Sequence, residues 1–253
     1  MLQTYEYSFS IGGERQVFVP TPSSRVFGEE LKHRVLKRWT PPAYFFHFQP
    51  GGHVAAARRH LGSCFFIRLD LRRFYDSVTR TKVHRALCQC RFRHQFAWHA
   101  ACRSTVSKSG KGRPYSLPFG FVQSSILASL SLSMSYLGTA LASLHHDHTS
   151  VSIYMDDILV SGDDVATLSA ARLRLEAAAE RSGFEFHPLK SVGPAPAVEV
   201  FNLDLCHHRL KVSPSRIADF EAAIVKGDPA TVAGILGYVG TVNSEQRASL
   251  ELR

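Results

Sequence analysis

The chain has 253 residues, 45% of them hydrophobic and 17 of them Phe, which is enough for one large packed domain or two small ones and excludes a disordered protein. Its net charge of +9 is uneven: residues 1–125 carry 20 Lys/Arg against 6 Asp/Glu, and residues 126–253 carry 10 against 15. No apolar run reaches the ~18 residues of a spanning helix, Met1–Glu6 has no secretory pattern, and five irregularly spaced cysteines argue against a disulfide framework, so a cytoplasmic, reduced setting is expected.

The first twenty residues predict a hairpin. Tyr5 to Phe9 alternates, Gly12-Gly13 turns and Gln16 to Val19 returns. Pro20 to Ser24 predicts a loop, Glu29 to Trp39 a basic helix ended by Pro41-Pro42, and Tyr44 to Phe48 a strand. His53 to Leu61 predicts a short basic segment in which Arg58, Arg59 and His60 are candidates for gripping phosphate, a solvated surface being the alternative. Cys64 to Leu69 is an apolar run that predicts a buried strand with Asp70 at its end, and a lone buried carboxylate there needs a partner. The following segment turns through Phe74 and Tyr75 into a helix running to about Cys90, with Asp76-Ser77 as its N-terminal cap.

Residues 91–103 predict a helix. Cys88, Cys90, His94, His99 and Cys102 fall around it, but Cys-x-Cys is not a structural-zinc pair, and core cysteines with surface histidines are the better reading. Residues 106–116 are polar, with Lys108, Gly110, Lys111, Gly112 and Arg113, and suit an exposed hairpin or loop. From Leu117 the chain leads into a long helix rich in Ala, Ser and Gly that ends near Leu144 and so packs closely against something, a sheet or a ligand backbone. His145-His146-Asp147-His148 reads as a polar loop rather than a metal cluster.

Val151 to Val160 then places two adjacent carboxylates, Asp156 and Asp157, between two β-favouring runs, which predicts strand, tight turn, strand. Neighbouring like charges raise each other's pKa unless a cation neutralises them, and an all-oxygen donor set suits Mg²⁺ or Mn²⁺. A solvated Asp-Asp turn is the alternative. Beyond it come a helix from Val165 to Ser182 ended by Gly183, strands at Phe184–Phe186, Val198–Leu205 and Leu210–Val212, and helices Pro214–Lys226 and Pro229 to about Asn243. The order strand–helix–insert–helix–strand–strand–helix–strand permits an α+β fold with a βαββαβ sheet, in which the first and third strands lie side by side and bring Asp70 to Asp156 and Asp157. Three such acids can hold two Mg²⁺ roughly 3.5–4 Å apart for in-line phosphoryl transfer.

Several of these stretches resemble reverse transcriptases. Tyr154-Met155-Asp156-Asp157 resembles the family's signature, Ile67 to Val78 its first catalytic motif, and Leu117-Pro118-Phe119-Gly120 with Ser124 and Leu127 its Leu-Pro-Gln-Gly helix motif. Gly183-Phe184 with Lys190 resembles the next motif, and Val200-Phe201-Asn202-Leu203 the primer-grip turn. The motifs stand in family order over about residues 44–243.

The resemblance implies a right-hand polymerase with a βαββαβ palm. It divides the chain into a fingers part at 1–63, palm at 64–90, an insertion at 91–116, palm at 117–205, and a primer-grip end with a small helical thumb at 206–253. It implies that Asp70, Asp156 and Asp157 bind two Mg²⁺ (Mn²⁺ as substitute) and that Lys190 lies near the departing diphosphate. Tyr75 would be the bulky gate against a 2′-hydroxyl, and Arg58 or Arg59 would meet the dNTP triphosphate. Leu71, Phe119, Gly120 and Gln123 would complete the nucleotide site, and Tyr154, Met155, Phe201 and Asn202 would face the nucleic acid.

Phe119 stands where the family has Gln, Phe121-Val122-Gln123 replace Ala-Pro-Thr, and Asn202-Leu203 stand where the primer-grip turn has Gly. The pattern is similar to bacterial retron and abortive-infection (defence-associated) enzymes. It implies an RNA template, a DNA product, a dedicated non-coding RNA, and a partner protein or homo-oligomer, with no membrane role. Two alternatives remain: template-independent or protein-primed synthesis on the same site, or a non-catalytic nucleic-acid-binding subunit.

Overall fold

A computed structural model describes residues 3–12, 15–107, 114–146 and 149–252. Gly13, the polar residues Lys108 to Arg113 and the pair Asp147-His148 lie outside the described residues. The chain forms two compact units, each discontinuous in sequence: residues 1–42, 71–142 and 177–185 make the first, and 43–70, 143–176 and 186–253 the second.

The first unit opens on the expected hairpin, β1 (Tyr5–Ile11) with β2 (Arg15–Pro20). The helix α1 (Pro22–Leu36) begins where a loop was expected. Thr21 caps it, its Oγ1 accepting the Ser24 N–H at 3.2 Å, and Pro22 costs nothing at a position whose N–H has no helical partner. The helix expected to reach Cys90 is two, α3 (Phe74–Ser77) and α4 (Arg80–Gln89). Thr79 is the cap of α4, and Asp76 instead pairs with Arg73 at 2.9 Å. Helix α5 (His94–Ser104) follows. The long small-residue helix is also two, α6 (Ser124–Ser133) and α7 (Tyr136–His146), bent by 73° at the break. Gly138 makes that bend possible, since a Cβ there would lie 2.3 Å from the Leu132 carbonyl oxygen. Among the described residues no single helix is long and apolar enough to cross a membrane, and all five cysteines are free.

The second unit holds the sheet expected to carry the acids. Residues Tyr44 to Phe48 form no strand: Phe46–Phe48 is a 3-10 turn, and Phe45 bridges Ile153 singly. Helix α2 (Gly52–Arg58) leads to β3 (Phe65–Asp70), and β4 (Ser150–Tyr154) and β5 (Asp157–Gly162) form the central hairpin. Helix α8 (Val165–Arg181) starts under an Asp164 cap, its Oδ2 accepting the Thr167 N–H at 2.7 Å. The fourth strand is β6 (Val192–Ala195), not Phe184–Phe186. The strand order β4-β5-β3-β6 is the arrangement expected of βαββαβ, with the first and third strands adjacent. β6 is an edge strand, where a proline is tolerated, and at Gly193 (φ +97°) a Cβ would fall 2.1 Å from the Phe66 carbonyl oxygen.

The stretch 198–205, expected as one strand, is a hairpin: β7 (Ala197–Val200) turns at Phe201-Asn202 into β8 (Leu203–Cys206), and β9 (Arg209–Val212) completes a second sheet. Helices α9 (Pro214–Lys226) and α10 (Pro229–Val242) match expectation, and α11 (Ser244–Glu251) is additional. Phe66, Leu159, Val200, Leu203, Phe220 and Val239 share one core, so the second sheet and the last helices pack with the strands that bear the acids.

Candidate active site

The register of β3 against β5 decides the geometry. Phe65 pairs with Gly162 and each step follows without a slip, so that Asp70 is directly opposite Asp157. Tyr154 pairs with Asp157 across the β4–β5 hairpin, leaving Met155 and Asp156 as a two-residue turn. The three acids therefore stand at one end of the sheet by strand pairing alone.

Each acid is held differently. Asp70 is 7% exposed, its N–H donating to Ser191 Oγ at 3.2 Å and its carbonyl accepting the His187 N–H at 2.8 Å. Lys190 Nζ stands 3.7 Å from Asp70 Oδ2. Asp157 Oδ1 accepts from Arg68 Nε at 3.2 Å and Nη2 at 3.1 Å. Burial, with smaller pushes from the charges of Asp156 and Asp70, raises the Asp157 carboxyl to about 6 against the pull of Arg68. Met155 is left-handed (φ +59°), a conformation that strains a residue with a Cβ, and its N–H donates to His47 Nδ1 at 3.2 Å. Burial lowers the His47 imidazole to about 4, so it is neutral and free to accept that bond.

A cavity of about 610 Å³ opens beside the acids. Tyr154, Met155, Asp156 and Asp157 form one wall and the Phe201-Asn202 turn another. Both turn residues are left-handed (φ +57° and +61°), as a tight hairpin of this hand requires. Rings hold the turn in place: Phe201 lies 5.7 Å from Tyr154 and 6.2 Å from His53, and His53 bonds Tyr238 Oη at 3.0 Å. The four residues expected to face nucleic acid thus share one cavity.

The expected nucleotide residues are placed less uniformly. Arg58 donates to the Thr241 carbonyl in α10, and Arg59 is exposed. The phosphate-gripping expectation for His60 is corrected: the ring is fully buried, with Nδ1 2.7 Å from Ser161 Oγ and Nε2 bonded to Ser152 Oγ. In the first unit Leu71 is buried and Tyr75 packs on Phe119 with ring centres 4.7 Å apart. Arg15 lies over the same Phe119 ring at 4.9 Å. Gly120 (φ +98°) could carry no Cβ, which would meet the Phe18 carbonyl oxygen at 2.2 Å. Gln123 is 1% exposed, and its amide donates inward to Ser104 Oγ at 3.3 Å, so it offers no open polar group to a nucleotide.

The three carboxylates fit a hard divalent cation by donor chemistry and by the cost of keeping Asp157 charged where it is. Among the described residues no three His, Cys, Asp or Glu side chains converge on one point, and Asp157 is turned toward Arg68. Sequence reasoning missed Arg68, His47 and Ser191. The signal for Arg68 was available: in a strand, residue i−2 shares a face with Asp70, and a cation there is placed to meet the acids.

Residues 11–201 match the family described as reverse transcriptase (RNA-dependent DNA polymerase). Among solved structures, the chain is similar to a foamy viral protease–reverse transcriptase in complex with double-stranded DNA, with TM-score 0.51 and 14% identity over 91% of this chain and 34% of that one. It is similar also to telomerase from Candida albicans in complex with a fragment of telomeric RNA, with TM-score 0.51 and 11% identity over 90% of this chain and 46% of that one. The chain thus spans less than half the length of either. No curated protein matches it in sequence.

Proposed function

Because the chain belongs to the reverse transcriptase family, we propose that it is an RNA-directed DNA polymerase whose chemical centre is Asp70, Asp156 and Asp157. The observation that carries this reading is the Asp70–Asp157 register pair with Asp156 in the adjoining turn. These three residues would hold two Mg²⁺, which supply a lowered hydroxyl pKa on the attacking side and charge neutralisation on the departing side. The chain's own residues do the rest. The aromatic wall of Tyr154 and Phe201 supports the primer end, and Lys190 offers a proton or a charge to the departing diphosphate. Tyr75, backed by Phe119, excludes a 2′-hydroxyl. The similar structures carry DNA or RNA, and the basic first half of this chain suits the same kind of partner.

The test is dNTP incorporation by purified protein on a primed RNA with Mg²⁺. Replacing Asp156 and Asp157 together by Ala should abolish it, and incorporation at the wild-type rate would sink the mechanism. The second reading, a nucleic-acid-binding subunit without catalysis, draws on the basic first half of the chain. It predicts salt-dependent RNA binding with no incorporation. From its sequence departures at Phe119, Phe121 to Gln123 and Asn202-Leu203 we propose a likeness to bacterial retron and defence-associated reverse transcriptases, and by that analogy a dedicated RNA partner; the cysteine usage suits a cytoplasmic setting.

A further inference from the structure

Arg68 makes three directed contacts with one planar group. Nε and Nη2 both reach Asp157 Oδ1, at 3.2 and 3.1 Å, while Nη1 donates to the carbonyl of Glu199 at 2.9 Å. Glu199 is the next-to-last residue of β7, two residues before Phe201. The guanidinium, 21% exposed on its side chain, therefore joins three pieces of one unit: its own strand β3, the first residue of β5 and the end of the β7–β8 hairpin. That hairpin's turn and Asp157 line the same cavity.

We propose that Arg68 is a positioning residue that fixes the Asp157 carboxylate relative to the Phe201-Asn202 turn, so that the acids and the support for the primer end move as one piece. The inference rests on the polymerase reading above and deepens it. A guanidinium suits the task because its donors are fixed in one plane and can face a carboxylate and a carbonyl at once. An ammonium supplies the same charge from a single point and cannot set the angle between two partners. Arg68 touches neither reacting atom in this account and acts through Asp157 and the hairpin. A displacement of about 1 Å at a reacting centre costs on the order of a hundredfold in rate, so loosening this tie has a large effect even when the fold survives.

The experiment is steady-state primer extension with Mg²⁺ by wild type, Arg68→Gln and Arg68→Lys, with active enzyme counted by burst titration and folding checked by circular dichroism. Per active site, Arg68→Gln should lose about tenfold to a hundredfold in kcat and raise KM for the primed template, with KM for dNTP within about twofold of wild type. Arg68→Lys, which keeps charge without the fork, should recover less than half of the loss on a logarithmic scale. Unchanged kcat per active site in Arg68→Gln, full rescue by Lys, or a loss explained wholly by fewer folded molecules overturns the proposal. Inactive wild type would instead defeat the polymerase reading beneath it.

Discussion

His60 provides the sharpest physical test of the scaffold behind the acids. Its ring is fully buried between Ser161 of β5 and Ser152 of β4, and Ser152 Oγ in turn donates to the Ala56 carbonyl at 3.1 Å. Burial first, and the Arg59 charge second, lower the imidazole from 6.5 to about 3. The sign follows directly. Above pH 6.5 His60 is neutral both folded and unfolded, and its contribution to stability is complete. As pH falls through 6.5 the unfolded chain takes up a proton that the folded chain refuses until about 3, so stability is lost on acidification. The gap corresponds to roughly 5 kcal/mol in full, and between pH 7 and pH 5 to about 2 kcal/mol. Urea unfolding at both pH values should show that much of the acid-induced loss disappearing in His60→Gln, since glutamine has nothing to titrate. Every other residue is common to both proteins, so its contribution cancels. Should His60→Gln prove too unstable to measure, an NMR titration of the wild-type ring decides the matter. A ring that protonates above pH 5 in the folded protein, or an unchanged pH dependence in the variant, refutes the reasoning.

Three further outcomes are expected. Asp157→Asn should abolish incorporation yet raise stability at pH 7 by about 1–3 kcal/mol, because the carboxyl raised to about 6 is charged there only at a cost; the gain should shrink toward pH 4, where the folded wild type is itself protonated, and urea midpoints at the two pH values measure both. Mg²⁺ should raise the melting temperature of wild type more than that of the Asp156→Ala, Asp157→Ala double variant, as mass action requires of a ligand bound only by the folded site. Tyr75→Ala should admit ribonucleotides, and an unchanged dNTP/rNTP selectivity would remove Tyr75 from the gate.

The acids were legible because continuous apolar runs mark strands buried on both faces, and a βαββαβ order leaves few ways to pair them. Asp70 opposite Asp157 follows once β3 and β5 are neighbours. Failures came where tertiary contacts overrule local signals. Residues 198–205 read as one strand by composition, and only the resemblance marked a turn at Phe201-Asn202; its left-handed backbone is held by rings and by the Ser213 N–H on the Asn202 carbonyl at 2.9 Å. Tyr44 to Phe48 has the composition of a strand, but Phe46–Phe48 is a 3-10 turn in which His47 Nδ1 accepts the Met155 N–H. Arg58, Arg59 and His60 look alike in sequence, yet helical and turn geometry sends the first two outward and the third into the core.

The strained backbone points to the same place as the acids. Of the six non-glycine residues with positive φ among the described residues, Met155, Phe201 and Asn202 line one cavity. Such a conformation costs on the order of 1 kcal/mol or more for most residues with a Cβ, and since asparagine tolerates it the strain falls on Met155 and Phe201. What offsets the strain is local and specific: the His47 acceptor under Met155, the ring cluster around Phe201, the Ser213 N–H on Asn202. Asp157 is raised by burial on the same side of the sheet, and its counter-charge is the one arginine that also grips the hairpin. Backbone strain and a carboxylate charged at a cost thus meet at one cavity, lined by the Met155 turn and the Phe201-Asn202 turn.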